Sequence, residues 1–194
     1  MTASSLLAAL VSATIAVSAA AGTSPGNKAA GMDRASSQRT INRADRELLV
    51  DIARSGHAET AASKLALQKS QNPEVKAFAQ RVIEDHAKAD ARLRAVAAAK
   101  RVDLPDGPST AKKAKLKLLE GMNPRTFDGA YLEHFGVVMH EEALETLRGR
   151  ALDGDDSDVK TLAKELVPVL EGHLNTAHEL RGRIDPSAQH SKRP

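Results

Sequence analysis

The chain has 194 residues, 41% of them hydrophobic, which suits one domain with ordinary tails rather than several domains. Only 2% are aromatic and none is tryptophan, so stacking platforms for single-stranded nucleic acid or sugars are excluded, and a sheet protein would carry more aromatic and β-branched side chains. The formal charge of +3, from 28 basic and 25 acidic side chains interspersed along the chain, leaves no footprint for a nucleic-acid partner, and with no cysteine neither disulfides nor a lipidated cysteine can contribute.

The first stretch, MTASSLLAALVSATIAVSAAAGTSPG, is uncharged, apolar from Leu6 to Val17, and small-residued after that. It reads as a secretory signal peptide over residues 1–21, followed by a flexible linker over 22–41. The absence of Lys or Arg at its start departs from the usual pattern. The apolar run is too short to cross a bilayer, so no stable membrane span is expected, and the mature protein is expected to be periplasmic or secreted.

From residue 42 to 184 the chain reads as helix. Asn72-Pro73 and Asn123-Pro124 each place a capping side chain directly before a proline at the first helical position, a specific start signal. Helix one is expected from about Asn42 to Ser70, helix two from Pro73 to Lys100, helix three from Pro124 to Leu152 and helix four from Ser157 to Arg183. Between helices two and three, RVDLPDGPSTAKKAKLKLLEGMN holds a Pro-Asp-Gly-Pro turn and then a short basic helix, capped by Ser109 or Thr110 and ending at Gly121. The other two connections are tight. The expected fold is therefore all-α, a four-helix bundle with one long crossover carrying a short extra helix. The segment LDGDDSDVK resembles a calcium loop, but counting from Asp153 the required glycine is Asp158 and the required glutamate is Lys164, so it reads as a turn. The tail 185–194 reads as disordered.

Heptad spacing places ionisable side chains in the apolar seams. In helix two the seam is Val75, Ala79, Val82, His86, Ala89, Leu93 and Val96; in helix four it is Val159, Ala163, Leu166, Leu170, His173, Ala177, Leu180 and Ile184. Helix one puts Glu59 on or beside the stripe of Leu48, Ile52, Ala62 and Ala66. In helix three Ala130, Val137, Leu144 and Ala151 form a stripe flanked by His134, His140 and Glu141. One histidine on an apolar face is usually neutral and hydrogen-bonded to a carbonyl or carboxylate. Four such groups at one level must satisfy one another or share a metal ion, because each unsatisfied buried polar group costs about 1–3 kcal/mol.

The stretches GHAETAASKLALQKSQNPEVKAFAQRVIEDHAKADARL, FDGAYLEHFGVVMHEEALETL and LVPVLEGHLNTAHEL resemble the bacterial proteins catalogued as domain of unknown function 4142, grouped with the ferritin-like four-helix bundles. The resemblance covers about residues 42–182 and rests on the Glu59 turn, Asn-Pro-Glu-Val-Lys, Asp85-His86, Phe127-Asp128 with Tyr131, His140 and the His173 segment. It implies a ferritin-like bundle and an exported protein, and it implies a fold more than an activity. The di-iron pattern of that fold, Glu-x-x-His on two helices, is not met: Glu84 and His86, like Glu171 and His173, stand two residues apart, ~200° around a helix.

Two readings remain open at this level. One is a non-catalytic exported bundle acting in envelope or stress physiology through contacts with a protein partner, its polar layer satisfied internally. The other is a single-ion site of Glu59, His86, His140 and His173, with His134 and Glu141 as alternates. That nitrogen-rich set suits zinc, copper or nickel. The oligomeric state is not encoded in these patterns.

Overall fold

The computed structural model describes residues 41–184; the expected leader, most of the linker and the tail lie outside the described residues. Asparagine caps open three of the helices. Asn42 accepts the Asp45 amide to start α1 (Arg43–Lys69), and Asn72 accepts those of Glu74 and Val75 to start α2 (Pro73–Ala99). Asn123 does the same for α4 (Pro124–Tyr131), while Ser109 caps the short α3 (Thr110–Glu120). Each cap satisfies amides that have no intrahelical partner, worth about 1 kcal/mol. The last helix, α6 (Ser157–Ile184), opens on Asp156, whose carboxylate accepts the amides of Asp158 and Val159. The acidic LDGDDSDVK stretch is thus a turn and cap, fastened to α1 by the buried Asp45 carboxylate, which accepts the amides of Asp155 and Asp156 at 3.0 Å.

The exit of α2 is a second kind of cap. Val102 N–H reaches back to the Ala97 carbonyl and Arg101 N–H to that of Ala98, while Arg101 takes the left-handed conformation at φ 56°. Glycine normally holds that position; here buried Val102 anchors the turn.

The third rod differs from the continuous α-helix expected over 124–152. It is α4, then a π-helical stretch at Leu132–Val138, then α5 (Met139–Asp153). The Met139 amide bonds to the His134 carbonyl, five residues back, where an α-helix would use Phe135. The reason lies in burial. Tyr131 and His140 are both buried, yet about two and a half α-turns separate them at 3.6 residues per turn, which would point them to opposite sides. The wider π-turns absorb the misfit, and Gly136 lets the stretch lie close against α6: a Cβ there would stand 2.8 Å from the Ala177 Cβ. The same shift turns His134 out to solvent.

The four long rods close a ring in which α1 packs on α2, α2 on α6, α6 on the third rod, and α5 back on α1, with α3 laid over α1. Two apolar clusters fill it. One is built around Ala62, Val75, Phe78, Val82, Phe127, Tyr131 and Leu180, the other around Leu48, Leu93, Val96, Leu147, Leu162 and Leu166. The crossover runs from the second cluster, at Val102, back to the first, at Leu119, so α2 and the third rod point the same way. Each fully buried leucine contributes roughly 1.5–3 kcal/mol. Pro168 sits inside α6, but on its exposed face, where the Lys164 carbonyl left without a donor can tilt to water. No described helix is long and apolar enough to cross a membrane.

A candidate metal centre between two apolar clusters

Between the two clusters the ring is closed by polar side chains, one from each rod: Glu59 from α1, His86 from α2, His140 from α5 and His173 from α6. Glu59, His140 and His173 are buried to 1% exposure or less, and the His86 side chain is 10% exposed. One ligand nitrogen from each of the three rings lies within 4.8 Å of the other two. The Glu59 Oε2 atom stands 2.9 Å from His86 Nε2 and 3.5 Å from His140 Nε2. Of the two alternates, His134 is exposed, and Glu141 is exposed beside His178 at 3.8 Å; neither reaches the layer.

The acceptors around the layer fix the ring protons. The His140 Nδ1–H donates to the Phe135 carbonyl at 3.0 Å, so Nε2 keeps its lone pair. On the far side, the His173 Nε2–H donates to Asp85 Oδ2 at 3.1 Å, so Nδ1 keeps its own. Those two remaining nitrogens face each other across 3.2 Å. A hydrogen bond between them would need a third proton and a charged ring. Burial opposes that: it lowers the pKa of His140, and it brings His173 down to about 4, assisted by His140 itself. Two lone pairs at this distance repel unless a proton or a cation lies between them.

Glu59 adds the same demand. His86 Nε2 approaches it closely, forming a buried charge pair, and no other hydrogen bond reaches either carboxylate oxygen among the described residues. Burial would raise the Glu59 pKa, but His140 and His86 outweigh it and hold the carboxyl at about 2. Burial would likewise lower that of His86; the adjoining Glu59 charge wins and raises it. The carboxylate is thus ionised beside imidazole nitrogens, in surroundings where an uncompensated charge is costly.

The donor set fits a transition ion. At metal–ligand bonds of 2.0–2.2 Å, donors of a tetrahedral site stand roughly 3.3 Å apart; three of the separations here, 2.9, 3.2 and 3.5 Å, bracket that value, and the three ring nitrogens all lie within 4.8 Å of one another. The outer groups are also those a metal site uses to orient its histidines: a backbone carbonyl for His140 and a carboxylate for His173. Asp85 is steadied by Lys88 at 3.0 Å and Arg81 at 3.6 Å. Beneath the layer, Phe78 packs edge-on to His173, and Tyr131 shares a buried 2.8 Å hydrogen bond with Ser63. Seam spacing does not single out Asp85, because the seam runs through its neighbour. The available signal is that a seam histidine without a protein acceptor on its own helix must find one across the interface.

Comparison with known proteins agrees with this architecture. No curated protein matches the chain. Among solved structures it is similar to the crystal structure of a DUF305 fragment from Deinococcus radiodurans, with a TM-score of 0.61 and 13% identity, covering 74% of this chain and 98% of that one. At that identity the likeness is one of helical fold. A family description, "Domain of unknown function (DUF4142)", matches residues 30–180, most of the chain and all four donors, and to that family the protein belongs.

Proposed function

We propose that the protein binds one transition-metal ion, zinc, copper or nickel, through Glu59, His86, His140 and His173. The observation that carries this reading is the facing pair of lone pairs on His140 and His173 beside the buried Glu59–His86 charge pair, all at the level where the four rods meet. A bundle acting only through protein contacts, with its polar layer satisfied internally, would not be expected to leave these atoms facing one another. Bound there, the ion would act as a Lewis acid and a cross-link. The chain's own residues hold the neutral imidazoles in their metal-binding tautomers through the Phe135 carbonyl and Asp85. The export expected from residues 1–21 would place this capture outside the cytoplasm.

Elemental analysis and calorimetric titration of the untagged protein, beside His86→Gln and His173→Gln, test the reading. One ion per chain, a rise in Tm on loading and at least tenfold weaker binding in both variants are expected. Affinity should also decline below about pH 6, as protons compete for the imidazoles. Sub-stoichiometric metal in the parent protein, unchanged in the variants, would refute the site.

A further inference from the structure

A cavity of about 490 Å³ opens onto only part of the polar layer. Its lining includes Glu59 and His86 but neither His140 nor His173. The layer therefore has a sealed side and an approachable one, and the buried Glu59–His86 charge pair lies on the approachable side. The volume falls in the range of small-molecule pockets, roughly 300–1,000 Å³. From this polar end the cavity runs toward Leu93, Leu147, Leu166 and Leu170, supplied by α2, α5 and α6. No phenylalanine, tyrosine or tryptophan is among its lining residues, and its two rings, His57 and His86, belong to its polar part. The leucine walls accept a flexible aliphatic body.

Charge selects the head group. A divalent ion with one carboxylate keeps a net positive charge, provided the histidines are neutral ligands. Lys112 of α3, half-buried and lining the same cavity, makes no ion pair within 4.0 Å among the described residues and lies close enough to act on the Glu59 charge. Besides Glu59, the four acids of the lining each have a partner: Asp85 with His173 and Lys88, Asp90 with Arg94 at 2.7 Å, and, more loosely, Asp51 with Arg54 and Glu142 with Lys115, both at 3.9 Å. Building on the metal reading above, we infer that the cavity is a ligand site of the metal centre, taking an aliphatic monocarboxylate whose head adds a fifth donor to the ion beside Glu59 and His86 and whose chain lies among the leucines.

The test uses the zinc-loaded full chain, titrated calorimetrically with octanoate, octanol and octyltrimethylammonium. Octanoate should bind at least tenfold more tightly than either of the others. Leu93→Trp and Ala143→Phe, which fill the cavity from α2 and from α5, should each weaken octanoate at least tenfold while keeping one zinc per chain; two variants guard against one failing to fold. Lys112→Gln should weaken octanoate several-fold and leave octanol unchanged. Zinc at one per chain with no octanoate binding, with equal binding of the three probes, or with undiminished binding in the folded filled variants, overturns this inference and leaves the metal reading standing. A chain that takes up none of zinc, copper or nickel overturns both.

Discussion

The α1–α2 hairpin and the hairpin made by the third rod and α6 each contribute two donors to one layer, but by different means. The first is two unbroken helices joined at Asn72, and its donors form a charge pair, Glu59 with His86. The second carries a π-stretch and an internal proline, and its donors are two neutral histidines locked outward to a carbonyl and to Asp85. A regular seam delivers a side chain wherever the heptad falls. Where the heptad would deliver His140 to the wrong side, the backbone itself is altered.

The most damaging way to probe this contrast is to bury a charge in each half. Val82→Asp in the first hairpin and Leu162→Asp in the second should each cost about 3–5 kcal/mol in urea denaturation, because both sites are buried within apolar clusters. A mild result in one alone would mean that its rod does not share the core. Next in size is the π-stretch: Gly136→Ala should cost about 1–3 kcal/mol, since its Cβ would meet Ala177 at 2.8 Å. Gly129→Ala on the same rod, with nothing within 4 Å of the added carbon, should stabilise by about 0.5–1 kcal/mol. Were both to behave alike, the close approach of the third rod to α6 would be in doubt.

Acid should separate the hairpins further. The depressed pKa values of His140 and His173 favour the fold above the ordinary histidine value of 6.5, and that contribution is lost as pH falls toward about 4. The raised pKa of His86 acts in the opposite sense: its contribution is present in acid and is lost as pH climbs through its raised value. Urea midpoints of metal-free protein should therefore drop between pH 6.5 and 4.5, and His173→Gln should flatten the drop. His86→Gln should steepen it. The smallest effect concerns the one strained non-glycine backbone among the described residues: Arg101→Gly should raise stability by about 1 kcal/mol in thermal melts, since it relieves the left-handed cap without touching either hairpin.

These differences also mark what could be read in advance. Asn72-Pro73 and Asn123-Pro124 announce their helices locally, and the seams through His86 and His173 follow a period that survives in three dimensions, so the rods and two donors were legible. Glu59 was legible as a polar group on an apolar stripe. The π-stretch was not, because Leu132–Val138 contains no residue that a π-turn requires; the register change arises from what Tyr131 and His140 must both reach. This is also why His134 and His140 could not be ranked from spacing alone. Asp85 was hidden for another reason: its partner His173 lies 88 residues away, on a helix whose rotation no local pattern reports.

The one-donor-per-rod arrangement has a consequence for the order in which the molecule is assembled. Each hairpin can form from contacts near in sequence, whereas the bonds that set one hairpin against the other, such as His173 to Asp85, close loops of many tens of residues. Two preformed hairpins therefore have to dock, and the layer is completed only when they are in register. Side chains engaged that late contribute little to the folding transition state and most to the barrier for leaving the native state. Substitutions at Asp85 or His140 should accordingly quicken unfolding while leaving the refolding rate nearly unchanged.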